Sequence, residues 1–407
     1  MKLKTILSFI LATLISVTFY SCDDILDDID EDDPDLTQQT LSGSYDDDLH
    51  LTNIFDDPMA ADYIVDGRVE INAKVTIDPG VRIEFEEDED FRITSSGYIE
   101  AIGTEDDPIT FTSANIPGGM HWRGILVRSS DMRNILQHVV VEYAGNSNTP
   151  LGPYSSQNRS TNIGIDDGAR LSVINSQIRN GKGYGIFVRG SLIEHEGNSY
   201  TDNTSAAVSV HVRNAGVMDD ASVFSGNSVD GVEIYGGTIE EEMVWSKLHN
   251  KSPYYISDHV YVEAPLTITE GVRFELAEDV NISIEEGSGD SFMQVSGTQN
   301  MPVVFTRANP EAGQYWRGIR YRTSDNRNSM NHVVVEYAGD SNMSIGPYSS
   351  QNRSANIAVD SHSTLSLSNA VISNSNGWGI AAISNASLTM ENITFENNQE
   401  GDLEEDV

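Results

Sequence analysis

At 407 residues the chain is long enough for two or three ordinary domains or one extended repeat array. Lys and Arg number 24 against 63 Asp and Glu, a formal charge of -39 that argues against binding nucleic acid or anionic lipid through a basic face. A single cysteine excludes an internal disulfide framework.

The first element is a leader. Lys2 and Lys4 precede an apolar run from Ile6 to Tyr20, followed by Ser21-Cys22. This is the pattern of a secretory signal over residues 1–21. The run is short for a membrane span and ends in acid, not base. A thiol directly after it resembles the lipobox of bacterial lipoproteins, which implies cleavage and acylation at Cys22. The match departs from the usual motif at Phe19-Tyr20-Ser21, where a small residue normally precedes the cysteine. Next comes DDILDDIDEDDPD, Asp23 to Asp35. Such a like-charge block repels itself and stays extended, so residues 22–62 are expected to form an acidic disordered tether. The block resembles the export signal of Bacteroidetes surface lipoproteins, which implies an outer-membrane location with the body facing outward. It lacks the glycine turn and ligand spacing of an EF-hand loop.

Beyond the tether, short pieces rich in Val, Ile, Phe and Thr alternate with Gly, Asn and Asp, which predicts strands and tight turns. They repeat. Tyr63 to Phe85 answers Tyr254 to Leu276 at an offset of 191. Trp122-Arg123-Gly124 answers Trp316-Arg317-Gly318 at an offset of 194, so the second copy gains three residues near Ser288. Two homologous modules follow, 63–253 with extra coils and 254–407 with an acidic C-terminus. Within them Asn175 and Asn198, Asn180 and Asn203, Asn369 and Asn392, and Asn374 and Asn397 are each 23 apart. That period fits one solenoid coil of three short strands, with asparagine at left-handed corners and in stacked ladders. Leu171, Val173 and Ile178 would point inward.

The phrases VTIDPGVRIEF, GTEDDPITFTS and HWRGILV resemble repeats of right-handed parallel β-helix surface proteins, over roughly Tyr63 to Asn398. The resemblance implies an all-β right-handed parallel β-helix. It leaves the activity open, because that fold carries polysaccharide enzymes, adhesins and binding proteins alike.

A polysaccharide lyase or hydrolase needs a base or paired carboxylates gathered in one cleft. Asp166-Asp167 is the one tempting acid pair on a coil, its counterpart reads Asp360-Ser361, and a solvated turn is the simpler reading. His138 and His332 begin equivalent strands without a ligand partner at close spacing. No catalytic or metal-binding residue is assigned and no cofactor is required, although surface carboxylates leave Ca²⁺ open.

Between His138–Ile163 and His332–Ile357, 21 of 26 positions are identical, against 11 of 39 in the coils that follow. Loops ordinarily drift faster than their supports. One explanation is a folded cover on the helix flank, with Tyr143 and Tyr154 on apolar wall and Arg159 paired to Glu142. The other is a recognition surface presented twice, through Tyr154, Ser155, Gln157, Asn158 and Arg159 and through Tyr348, Ser349, Gln351, Asn352 and Arg353. An aromatic face beside a fork of donors suits sugar hydroxyls and carboxylates, and two sites add avidity. Trp122 and Trp316 read more simply as core. The expectation is therefore a lipid-anchored protein that binds a glycan or other cell-surface component. A polysaccharide lyase or hydrolase acting on acidic sugars and a passive structural rod are the alternatives.

Overall fold

The computed structural model describes residues 37–405 apart from Ser288, Ala312 and Pro347. The leader, Cys22 and the acidic block at 23–35 lie outside the described residues. From Gln38 onward the chain forms one continuous unit.

That unit is a parallel β-helix with three faces, each a ladder of in-register parallel strands. Face one begins with 39–41, 63–65, Arg82–Phe85, Ile109–Ser113 and Val139–Glu142. Face two begins with 43–45, 69–71, Asp90–Ile93, Gly124–Val127 and Thr161–Ile165. Face three begins with Leu49–Leu51, Lys74–Ile77, Tyr98–Ile102, Ile135–Gln137 and Arg170–Ile174. Strand residues alternate inward and outward, as in the buried Val75 and Ile77 against the half-buried Lys74 and Thr76. The inward set fuses into one core running from Leu41 to Ala382.

The first coil corrects the expected tether. Gln39–Tyr45 and Leu49–Leu51 already pair with the coil that starts at Tyr63, and Leu41 and Leu51 are buried. The acidic run at 46–48 misleads because it occupies a corner. There Asp46 accepts from the Asn72 amide at 2.8 Å and Asp48 from Lys74 N at 3.2 Å.

The asparagine pattern resolves into two sets. Asn175, Asn180, Asn369, Asn374, Asn392 and Asn397 take the left-handed conformation at outer corners. Asn198 and Asn203 are buried instead, and their amides bond main-chain carbonyls of the preceding coil. Asn203 also continues a ladder from Asn162 to Asn227, each step 2.9 Å. Coil length varies with it. Gln177 pairs with Ser199, 22 residues on, whereas Thr364 pairs with Ser387, 23 residues on. The three inserted residues fall where expected, between Asn281–Ile284 and Phe292–Ser296.

The two modules are not stacked in phase. Tyr63–Val65 lies on face one, but its counterpart Tyr254–Ile256 pairs with 232–234, at the end of the face-two ladder. That ladder descends from 69–71 through Thr161–Ile165, Tyr184–Val188 and Ala206–Val210. The extra coils at 204–245 cause the shift. The 3-10 turn Val212–Val217 takes the place of a face-three strand between Ser191–Glu196 and Gly237–Ile239. Module two is therefore turned by one face relative to module one.

Candidate functional site

The repeated loop springs from a corner built for it. Tyr143 and Tyr337, at φ 56° and 61°, turn the chain off the strand that precedes the loop. Immediately beyond, Ser147 and Ser341 donate to the carboxylates of Asp88 and Asp279, themselves at left-handed corners. Arg123 and Arg317, from the repeated Trp-Arg-Gly, close the same clasp, with Arg317 at 2.6 and 2.8 Å from Asp279. Burial pushes the Asp88 carboxyl up, but Arg123 and Ser147 outweigh it and hold the group below the usual carboxylate range. At Asp279 the Arg317 bonds lead, burial opposes them, and Ser341 helps to keep the carboxyl low. The sequence reading overlooked these aspartates. Their signal is that Asp88 and Asp279 correspond between the two copies at the 191-residue offset.

Above the clasp the loop folds on itself. Thr149 and Arg159 form an antiparallel bridge with bonds of 2.7 and 3.2 Å, and Met343 and Arg353 repeat it at 2.7 and 3.0 Å. Leu151 plugs a small cluster with Leu126 and Phe187, while Ile345 joins Met343, Ala355, Ala358 and Ala381. Gln157 accepts from Tyr154 N at 3.2 Å, and Gln351 from Tyr348 N at 3.3 Å, which closes the 3-10 turn at the tip. Gly152, at φ 74°, passes so close to Gln157 that a Cβ would lie 2.3 Å from its Oε1, and its N–H donates to Asp166.

Two sequence expectations are corrected here. Arg159 does not meet Glu142. Its guanidinium donates to the carbonyls of Ser156 and Asn158, both at 2.9 Å, and lies over the Phe187 ring. Glu142 is taken instead by Arg179 from the next coil, at 2.7 Å, and by Thr112 at 2.9 Å. Nor does Tyr154 lie on apolar wall, for it is 67% exposed and Tyr348 is 68% exposed. The indoles of Trp122 and Trp316 are core, each donating to a strand carbonyl at 2.8 Å.

The candidate residues therefore divide by task. Gln157, Arg159 and their counterparts Gln351 and Arg353 hold the loop, with Arg353 also 3.4 Å from Glu404. Asn158 and Asn352 are half-buried, and Asn352 Oδ1 is shielded with no partner. Tyr154, Ser155 and Tyr348 stand in solvent, while Ser349 contributes its backbone to the 3-10 turn. Asp166 is a structural acceptor, 3.2 Å from Arg128, and Asp167 is exposed. His138 and His332 are left-handed corner residues. Among the described residues no cluster of three or more His, Cys, Asp or Glu is placed to hold a metal.

A separate cavity of about 600 Å³ opens beside the 3-10 turn on face three. Arg170, His211 and Arg213 line it together with Glu240, Glu241 and Glu242. Burial, then the charge of Arg213, pushes the His211 imidazole below its ordinary value, so it is neutral at pH 7. Comparison with protein-family profiles, with curated proteins and with solved structures finds no match for this chain.

Proposed function

We propose that the protein is a lipid-anchored binding protein that recognises a glycan or related surface component through the tips of its two repeated loops. One observation supports this reading above the others. Most of the repeated sequence has an internal task, at the clasp, the bridge, the apolar plug or the Gln-closed turn. The Tyr-Ser-Ser tip, 154–156 and 348–350, is identical in both copies yet makes no side-chain bond that the fold requires at Tyr154 or Tyr348. A tyrosine presented on a rigid turn offers a flat face and a hydroxyl at little ordering cost. Glycan-array binding of the mature body, repeated with Tyr154→Ala and Tyr348→Ala, tests it. Specific binding that drops in these variants while melting stays unchanged is the expected result.

The anchor rests on the residues around Cys22. Cys22→Ala is expected to move the protein from the membrane fraction to the soluble fraction, since acyl chains would be its attachment. Retention after a carbonate wash would defeat that part of the reading. A second reading, lyase action on an acidic sugar chain, is favoured by the face-three cavity with its neutral His211 beside two arginines. An ultraviolet assay for unsaturated product, compared with His211→Ala, separates it from binding alone.

A further inference from the structure

Each module carries a groove just ahead of the strand that opens with its repeated Tyr, and the two grooves have opposite charge. At the entry to module two the turn at 246–253, the Gly271 corner and the turn at 299–302 enclose about 340 Å³. Lys247, Lys251 and Arg273 line it with Asn250, Asn300 and Met301, over a floor that includes Leu248 and Pro302. In module one the equivalent groove is about 140 Å³ and is lined by Asp56, Asp106 and Asp107. The scaffold corresponds residue for residue: Gly80 to Gly271, Asp106 to Asn300, Asp107 to Met301 and Pro108 to Pro302. Two carboxylates have become an amide and a thioether, Lys247 stands where the first copy has Asp56, and Lys251 stands where it has Ala60.

Overall charge makes this concentration notable. Only four lysines follow Lys4, and two of them are here. Neither is used up by the fold. Lys251 has no ion pair among the described residues, and Lys247 reaches only Asp220, at 3.5 Å between exposed groups. Lys251 sits at φ 65°, an uncommon placement for a long side chain, directly after Asn250 at φ 48°. The side-chain amides of Asn250 and Asn300 make no bond to the described residues.

We propose that this groove binds a small organic anion, a carboxylate carried on a compact, partly apolar ring or short chain. The ammonium groups of Lys247 and Lys251 act as point charges for the carboxylate, with the amides as further donors. Leu248, Met301 and Pro302 take the apolar body. This site does not depend on the loop tips, and its test leaves them intact.

The test is calorimetric titration of the full chain at constant ionic strength with glucuronate and with hexanoate, glucose and chloride serving as controls. Saturable binding of at least one carboxylate is expected, with no comparable response to glucose or chloride. The better of the two probes names the source, sugar acid or aliphatic acid. The exposed pair Lys247→Gln/Lys251→Gln and, separately, Met301→Asp, which installs the residue of the other copy, should each weaken binding by about tenfold or more. Asp106→Asn in module one should leave it unchanged. Absence of saturable binding by both probes, equal response to chloride, or undiminished affinity in both groove variants would overturn the proposal.

Discussion

Single residues show where sequence spacing informs and where it cannot. The two indoles follow from their place at the start of apolar strands, and Trp122 is fully buried and stacked on Phe85 at 3.9 Å. Trp122→Ala is expected to cost about 3–5 kcal/mol, because a large cavity opens and the Glu142 carbonyl loses its donor. Tyr154→Ala should stay within about 0.5 kcal/mol, the usual size of a surface change. Urea titration of both variants measures the contrast directly. The Arg159–Glu142 pairing could not be read in the same way. Glu142 is met by whichever arginine the neighbouring coil places beside it, and a register fixed by pairing over 37 residues chooses Arg179. The acid clasp adds a pH dependence. The Asp279 carboxyl lies lower folded than unfolded, so its contribution is complete above the ordinary carboxylate range and is lost as pH falls through the folded value. Asp279→Asn should lower the melting temperature by a constant amount above about pH 5 and by progressively less below about pH 4. A deficit that instead grew on acidification would contradict the assignment.

Among elements, strand alternation and the Gly, Asn and Asp corners were open to reading because they obey local rules. The fold class and the inserted three residues near Ser288 follow from them. The first coil was hidden by composition, since strands of only a few residues around an acidic corner resemble a charged tether. The coil period was blurred because Asn175 and Asn198 belong to different corner sets, one left-handed and one buried. Ladder pairing corrects the count in a testable way. Val173 pairs with His195, so removing the 22 residues 173–194 seats His195 beneath Leu136 in Val173's place. Removing one residue more, 173–195, seats the exposed Glu196 there and turns the following side chains to the wrong side. The 22-residue deletion is expected to keep the circular-dichroism spectrum of a β-helix and a cooperative melt. The 23-residue deletion should melt far lower. Equal melting of the two would show that interior register does not govern this stack.

At the scale of the whole β-helix, repetition in sequence did not translate into repetition in direction. Aligning the copies reveals two loops of one design. Only the ladders reveal that the intervening coils advance the winding by one face. The first loop joins face one to face two, between Val139–Glu142 and Thr161–Ile165. The second leaves the strand segment 333–336 on the face-two ladder and enters Ala355–Val359 on face three. Seven coil steps separate them, roughly 34 Å at about 4.8 Å each. Tyr154 and Tyr348 therefore leave from different corners, and for the binding proposed at the two tips the avidity expected of aligned sites changes character. A flat, densely coated glycan surface presents its chains from one side, so it should engage one tip at a time. Apparent affinity on a planar sensor should then be nearly independent of ligand density, and loss of either tyrosine should about halve the capacity of a randomly oriented population. A long soluble polymer behaves differently, since tips that diverge can hold two chains and link separate molecules. Light scattering should rise with such a polymer for the native protein and fall to baseline for Tyr348→Ala, which leaves one of the two proposed sites. Avidity gains of about a hundredfold on the planar surface, without cross-linking in solution, would mean that both tips reach one plane and that the turn between the modules does not set how the protein binds.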